Sequence, residues 1–407
     1  MTGCPHKVDF DALAPETFDS PHALFAELRA RCPVAYSDSW GGFWALTRYA
    51  DVITAATRYE SYITSIQNVI PKVAFTGRRP PLHLDPPDHT PYRRALNPLL
   101  SERRVAGLEP VVRGYCAELL EPLVAAGSTE ICADFSSRLP VLVFAEWMNL
   151  PPAEVRTLAE VGRTYNLAVQ ANHDEAVRES SLELYEMARD LVERRKRSPM
   201  DVAEDATSAL LAVRVDGQPL PEEMIVGTIR QVLVVGIIAP TVLFGSICVH
   251  LARDQELQAT LRADPALIPA AVEEFLRLYT PYRGFARTAV DDVAMGDREI
   301  LKNEPIALVY CSANRDESVF PDPDRFIIDR PNIGDHLAFG RGPHHCPGAF
   351  LGRLQMRVAL EELLARTSHF ALAGEPVQTR FPEIGAMSVP LSLHRPSATP
   401  SRKGEVS

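Results

Sequence analysis

Apolar residues return every three or four positions over Arg103 to Ala126, Pro140 to Asn149, Pro152 to Asn166 and Glu175 to Arg194. With polar connections between the segments, this period predicts successive helices. Pro21 to Arg31 carries an amphipathic pattern of the same kind, and another helix follows Tyr49-Ala-Asp-Val as far as Arg58. Short runs at Pro33 to Tyr36, Phe43 to Thr47, Val293 to Met295, Glu299 to Leu301 and Ile306 to Tyr310 read as strands of a small sheet, and Glu383 to Met387 as the tip of a last hairpin. Tyr62 to Leu84 keeps neither period. Its apolar residues Val69, Ile70, Val73 and Phe75 are spaced irregularly, as in a loop over a pocket or a surface lid. The expected class is mainly α with a small β region.

The helix opened by Pro221-Glu-Glu should continue to about Arg253 and cross the whole domain. Its stretch Val232 to Val249 has no charge and reaches membrane-spanning length, but its Gly, Pro, Thr and Ser also suit a buried central helix, and no membrane span is expected. No linker divides the 407 residues, so one domain is expected over residues 1–395, followed by a disordered-looking tail at 396–407. The 46% hydrophobic content is ample for a core that excludes water. A net charge of -11 argues against general nucleic-acid binding. The seven cysteines, Cys4, Cys32, Cys116, Cys132, Cys248, Cys311 and Cys346, are odd in number and lack paired spacing, which fits a reducing cytoplasm. The N-terminus has no apolar signal core.

Candidate chemistry concentrates in Phe339-Gly340-Arg341-Gly342-Pro343-His344-His345-Cys346-Pro347-Gly348, which runs into a helical pattern from Ala349 to Ala365. A thiolate ligates metal, so Cys346 needs surroundings that favour negative sulfur. The start of a helix offers unpaired N–H groups and the positive end of the dipole, and Pro347 fits its first turn. Gly340 and Gly342 permit a tight loop that approaches a flat cofactor, with Phe339 over the sulfur. The alternatives are an inert buried cysteine or a zinc ligand, although no second Cys or His pair has zinc spacing.

The stretch resembles the haem-thiolate signature of the cytochrome P450 family, F-G-x-G-x-H-x-C-x-G, and every fixed position is matched. Further motifs recur in family order between Pro33 and Leu393. The resemblance implies a fold with haem b buried between a long central helix and the cysteine loop, and Cys346 as axial ligand. His344 is then placed near a haem propionate. His89 and Arg93 match H-x-x-x-R, with Arg287 and His336 at two further propionate positions. Glu274-x-x-Arg277 and a later Arg325 match a structural network behind the haem. The resemblance also implies a soluble, cytoplasmic bacterial-type monooxygenase that uses O2 and electrons from NAD(P)H through a separate ferredoxin and ferredoxin reductase.

One motif departs from the family. Most members carry (A/G)-G-x-(D/E)-T-T on the central helix, whose acid and alcohol relay protons. This chain reads Gly236-Ile237-Ile238-Ala239-Pro240-Thr241, with Ala239 at the acid position and Pro240 at the alcohol position. Shifting the alignment by one residue makes Thr241 the alcohol; either way the acid is missing. Pro240 has no N–H for the Gly236 carbonyl four residues earlier, so the helix should open there. A water held by that carbonyl and Thr241 would be one proton route; the other reading has Thr241 bonding back to Ile237. The departure leaves open a peroxide- or nitric-oxide-using enzyme and a non-catalytic haem binder or gas sensor. Val69, Ile70, Phe75, Leu233, Ile237, Phe285, Ile384 and Met387 are the pocket candidates, and their apolar character suggests a lipophilic or aromatic small-molecule substrate, with secondary metabolism as one setting.

Overall fold

The structure, a computed structural model, describes residues 6–396. Cys4 and the tail from 397 onward lie outside the described residues. Helices carry most of the chain. The largest sheet has five strands in the order Val34–Ser37, Phe43–Leu46, Pro305–Leu308, Phe285–Ala289 and Tyr62–Ile63. Its pairs are antiparallel except Pro305–Leu308 against Phe43–Leu46, where Ile306 faces Trp44. On the other side of the same strand, Ile306 faces Arg287, and that register holds Arg287 beneath the loop 62–85.

The helical pattern is realised with modest changes of length. Pro21–Arg31 and Tyr49–Thr57 fall where expected, Pro152–Gln170 runs one turn further, and Ala349–Arg366 follows the cysteine loop. Arg103 to Ala126 is not continuous: Glu102–Ala106 ends at Gly107, and Pro110, which has no N–H to continue that ladder, sits in the first turn of Glu109–Ala126.

The central apolar segment is also two helices, Glu222–Val235 and Ile238–Arg253, broken at Gly236 (φ -93, ψ 11) and Ile237. The break lies one turn before Pro240, where the missing N–H and the ring both open the ladder. The segment is long and apolar enough to cross a membrane, but two thirds of its apolar 18-residue stretch is buried inside the protein. Leu233, Val234, Ile237, Phe244, Ile247 and Leu251 belong to the main core.

Candidate active site

The Cys346 loop is fixed at both ends. The Cys346 N–H donates to the Phe339 carbonyl at 2.8 Å, and the His345 N–H to the Gly342 carbonyl at 3.0 Å. Gly342 has φ +73, and a Cβ there would lie 2.5 Å from the Ala56 carbonyl oxygen, so glycine alone allows this approach to the helix Tyr49–Thr57. Pro347 precedes the helix, which starts at Ala349 with Gly348 as its cap. Burial pushes the Cys346 thiol up; the Gly348 N–H bonded to sulfur and the charges of Arg93 and Arg353 pull the other way. The residue is enclosed by protein yet keeps accessible surface, as a side chain facing an interior cleft does.

Around this cleft stand four donors. Arg93 gives one N–H to the His345 carbonyl at 2.8 Å, and His89, the cap of Thr90–Leu96, gives its Nε2–H to the Pro343 carbonyl at 3.1 Å. The His89 and His344 rings lie 5.0 Å apart. Burial lowers His344 to about 4, so the ring is neutral; Nε2 lies 3.3 Å from Thr64 Oγ1 and 3.5 Å from Asp85 Oδ1. Asp85 is held below the usual carboxylate range: burial opposes its charge, but hydrogen bonds from His344, Thr64 and Ser65 prevail. Arg287 is 4% exposed and donates to the Ala286 carbonyl at 2.9 Å. Among the described residues neither Arg93 nor Arg287 has a bonded carboxylate. Arg93 is half-buried and Arg287 buried, and Asp85 is the carboxylate whose charge acts on Arg287 from nearby; cations so placed suit a group bearing two carboxylates, as haem does.

His336 does not join this set. Its Nδ1 accepts the Ala338 N–H at 3.2 Å and its Nε2–H reaches Glu273 Oε2 at 3.0 Å, so both nitrogens are occupied. Glu273 is lowered to about 2: burial works against it, and His336 and Arg353 overcome that. Phe339 lies beside the same cluster, with the Arg353 guanidinium 4.6 Å from its ring.

The network behind the loop differs from expectation in one member. Glu274 and Arg277 are both fully buried and paired through two bonds of 2.7 and 2.8 Å. Their third partner is Arg330, whose Nε sits 3.1 and 3.2 Å from the two Glu274 oxygens. The Arg325 side chain is 74% exposed and pairs with Asp322; only its carbonyl turns inward, toward Arg277 and Arg330.

On the central helix the structure follows the second of the two readings, with Thr241 bonding back to Ile237. The Thr241 hydroxyl lies 2.8 Å from the Ile237 carbonyl and 2.9 Å from that of Ser136, and Ser136 returns a bond to the Thr241 carbonyl. Its proton is therefore engaged across the helix break. The partly open positions along this segment are Gln231, Val232, Val235, Gly236, Ile238, Ala239 and Pro240, with Val235 44% exposed; Val232, Val235, Ile238 and Ala239 form their apolar stripe. No acid or hydroxyl stands on it. Reading the sequence missed Val235 and Ile238, because the phase of the helix across its break decides which face is open.

Of the pocket candidates, Val69 bridges to Phe285, whose half-buried ring lies 4.4 Å from Tyr282, and Met387 is half-buried. Leu233 and Ile237 are main-core residues, and Ile70 and Ile384 share a second core with Phe10 and Phe381. Phe75 is 59% exposed and stacks at 6.3 Å on His83. Leu233, Ile237, Ile70 and Ile384 are thus packed in cores, whereas Phe75 lines a surface cavity together with Val69. Glu383, at the tip of the last hairpin, is buried, bridges to Tyr282 and accepts a hydrogen bond from Gln170 at the end of Pro152–Gln170.

Burial raises the Glu383 carboxyl to about 8 against the pull of its own N–H, Arg283 and Gln170. The folded state thus holds this proton more tightly than the unfolded chain, whose value is near 4.5. Its contribution is complete below that value and is lost as pH rises through about 8. Glu383→Gln is expected to melt increasingly above the wild type from pH 5 to pH 8, by on the order of 1 kcal/mol per pH unit; parallel melting curves across this range would contradict it.

Comparison with known proteins places the chain. The Cytochrome P450 family model matches residues 243–394. Cyclomarin C epoxidase CymV of Salinispora arenicola is 31% identical over 88% of this chain and 91% of its own. The Mycinamicin IV hydroxylase/epoxidase of Micromonospora griseorubida is 32% identical over 86% and 88%. The solved structure of Cytochrome P450 CYP109Q5 from Chondromyces apiculatus superposes with a TM-score of 0.86 at 32% identity, covering 96% and 99% of the two chains. The chain belongs to the cytochrome P450 family: it has that fold and is a bacterial-type oxidoreductase of the monooxygenase class.

Proposed function

We propose that residues 1–395 form one catalytic domain in which Cys346 holds haem b, and that the enzyme hydroxylates or epoxidises a small organic molecule. The observation that carries this reading is the Cys346 sulfur, bonded to the Gly348 N–H at a helix start and facing an enclosed cleft beside two arginines that lack carboxylate partners. Arg93, Arg287, His89 and His344 would hold the propionates, and Cys346 would bind the iron as the thiolate, its proton released to solvent. Haem, when bound, supplies the oxidation, using O2 and two electrons. The stripe Val232, Val235, Ile238 and Ala239 would exclude water from the reacting face and orient an apolar part of the substrate. The electron source would be a separate ferredoxin and NAD(P)H-dependent reductase, in the cytoplasm. Epoxidation and hydroxylation of natural products by the two named relatives support a substrate from secondary metabolism.

With Thr241 engaged by two carbonyls, its hydroxyl fastens the break in the helix, and protons would reach the cleft by water rather than through this side chain. Thr241→Val is therefore expected to lower stability by about 1 kcal/mol while product formed per NAD(P)H consumed stays at the wild-type value in a reconstituted ferredoxin system. A sharp fall in that ratio, with excess peroxide released, would return Thr241 to the proton route. Rapid product formation with peroxide alone would favour a peroxide-using enzyme.

A further inference from the structure

A second group of buried cations lies apart from the cysteine loop. Arg230 projects from Glu222–Val235 with 0% exposure, and Arg79, from the loop before Thr90–Leu96, is 6% exposed. The two come together because Gly227, one turn before Arg230, admits the loop: a Cβ there would lie 2.0 Å from the Arg78 carbonyl oxygen. Arg230 donates to Ser181 Oγ at 2.7 Å and lies over the Tyr165 ring at 4.5 Å; Arg79 reaches the Tyr165 hydroxyl at 3.3 Å. The Nε–H of each arginine is buried without an acceptor. So is His83 Nε2, whose ring is lowered to about 3 by burial and then by Arg79, Arg230 and Arg78.

Among the described residues no carboxylate bonds to Arg79 or Arg230, and the charges acting on His83, Tyr165, Tyr185 and Arg230 come from arginines and tyrosines alone. Tyr165 itself is lowered: burial opposes its ionisation, but Arg230 and Arg79 outweigh it. A folded protein does not keep two adjacent guanidinium groups out of water for stability, since breaking even with desolvation requires a counter-charge.

A cavity reaches Arg79 from outside, and Arg230 lies behind its wall, joined to Arg79 through Tyr165. That wall includes Asn68, Lys72, Arg78, Arg79 and His83 and contains no acidic residue. Val69, on the same wall, bridges to Phe285, which packs on Tyr282. Tyr282 is within electrostatic reach first of Glu383 and then of Cys346 and Tyr165. The cations thus sit a few side chains from the proposed reaction centre, on the approach to it.

We propose that Arg79 and Arg230 bind the carboxylate of the substrate, which is an organic acid with an apolar body directed toward the stripe of Val232, Val235, Ile238 and Ala239. The proposal rests on the haem reading above and narrows its substrate class. A carboxylate would accept from the free Nε–H groups and from the Tyr165 hydroxyl, supplying the counter-charge that the protein lacks, while Ser181 stays engaged with Arg230 and Thr76.

The test uses the haem-loaded full chain with dodecanoate and 4-phenylbutyrate, each beside its methyl ester. Binding is read twice, by the ferric spin-state change and by the shift in melting temperature, which does not depend on haem chemistry. The wild type should bind at least one acid about tenfold or more tightly than its ester, and Arg79→Gln and Arg230→Gln should lose about 10- to 100-fold in acid binding with the ester unchanged, as expected for a lost charge-assisted bond. Without ligand, Arg79→Gln should melt at or above the wild-type temperature, because an uncompensated cation has gone. Equal binding of acids and esters by the wild type overturns the proposal. So does an Arg79→Gln protein that melts lower and keeps the wild-type acid-to-ester ratio, since the arginine is then structural. Haem content per chain, measured on each sample, separates these results from a failure of the haem reading.

Discussion

Glu274→Ala is expected to give a protein that neither loads haem nor folds stably. Glu274 has no exposure, and its two oxygens hold Arg277, Arg330 and the Ile327 N–H. Those arginines in turn bind the carbonyls of Asn314, Pro323, Pro321 and Arg325, which fix the loop leading to Leu337 and the cysteine stretch. Removing the carboxylate strands two guanidinium groups in a dry site, at a cost of roughly 3–5 kcal/mol. That is a large part of the 5–15 kcal/mol of a typical domain. The measurement is haem per chain together with the urea midpoint. Arg325→Ala is the contrast: its side chain is exposed, and the change should stay within about 0.5 kcal/mol. Wild-type haem content in Glu274→Ala, or collapse in Arg325→Ala, would contradict this assignment of the network.

Cys346→Ser is expected to abolish turnover while leaving the fold intact. The Gly348 N–H can bond a serine oxygen as it does the sulfur, and the loop is held by the backbone bonds at Phe339 and Gly342. What the variant lacks is a readily ionised, electron-rich donor. Product formation should fall to background in both the ferredoxin and the peroxide systems, with a melting temperature of the haem-free protein near that of haem-free wild type. Cys311→Ser is the control. Burial pushes the Cys311 thiol up to about 11, and it belongs to the core behind the sheet, so its replacement should leave turnover in place.

The sequence made much of this legible because local chemistry decides it. The cysteine loop is a run of residues with individually demanding roles, and the pairing of Glu274 with Arg277 needs only one helical turn. Tertiary packing decided the rest. Arg325 and Arg330 lie on the same loop, and only its path, folded around Arg277, selects Arg330. His336 has its propionate position by motif alone, and Glu273, brought opposite it on the helix Ile268–Leu278, takes its Nε2–H. Thr241 points where it does because the break at Gly236 and Ile237 resets the phase of the helix. Arg230 carries a signal in the sequence itself: it is a single cation in the apolar run Ile225 to Val235, where a charge needs a reason.

The spectrum of the reduced carbon monoxide complex tests the haem-thiolate assignment most directly. Purified wild-type protein should give the thiolate type of band at an intensity that accounts for one haem per chain. Cys346→Ser, reconstituted with haem to the same content, should lack that band. A wild type that binds haem without it, or a Cys346→Ser protein that retains it, would contradict Cys346 as the ligand.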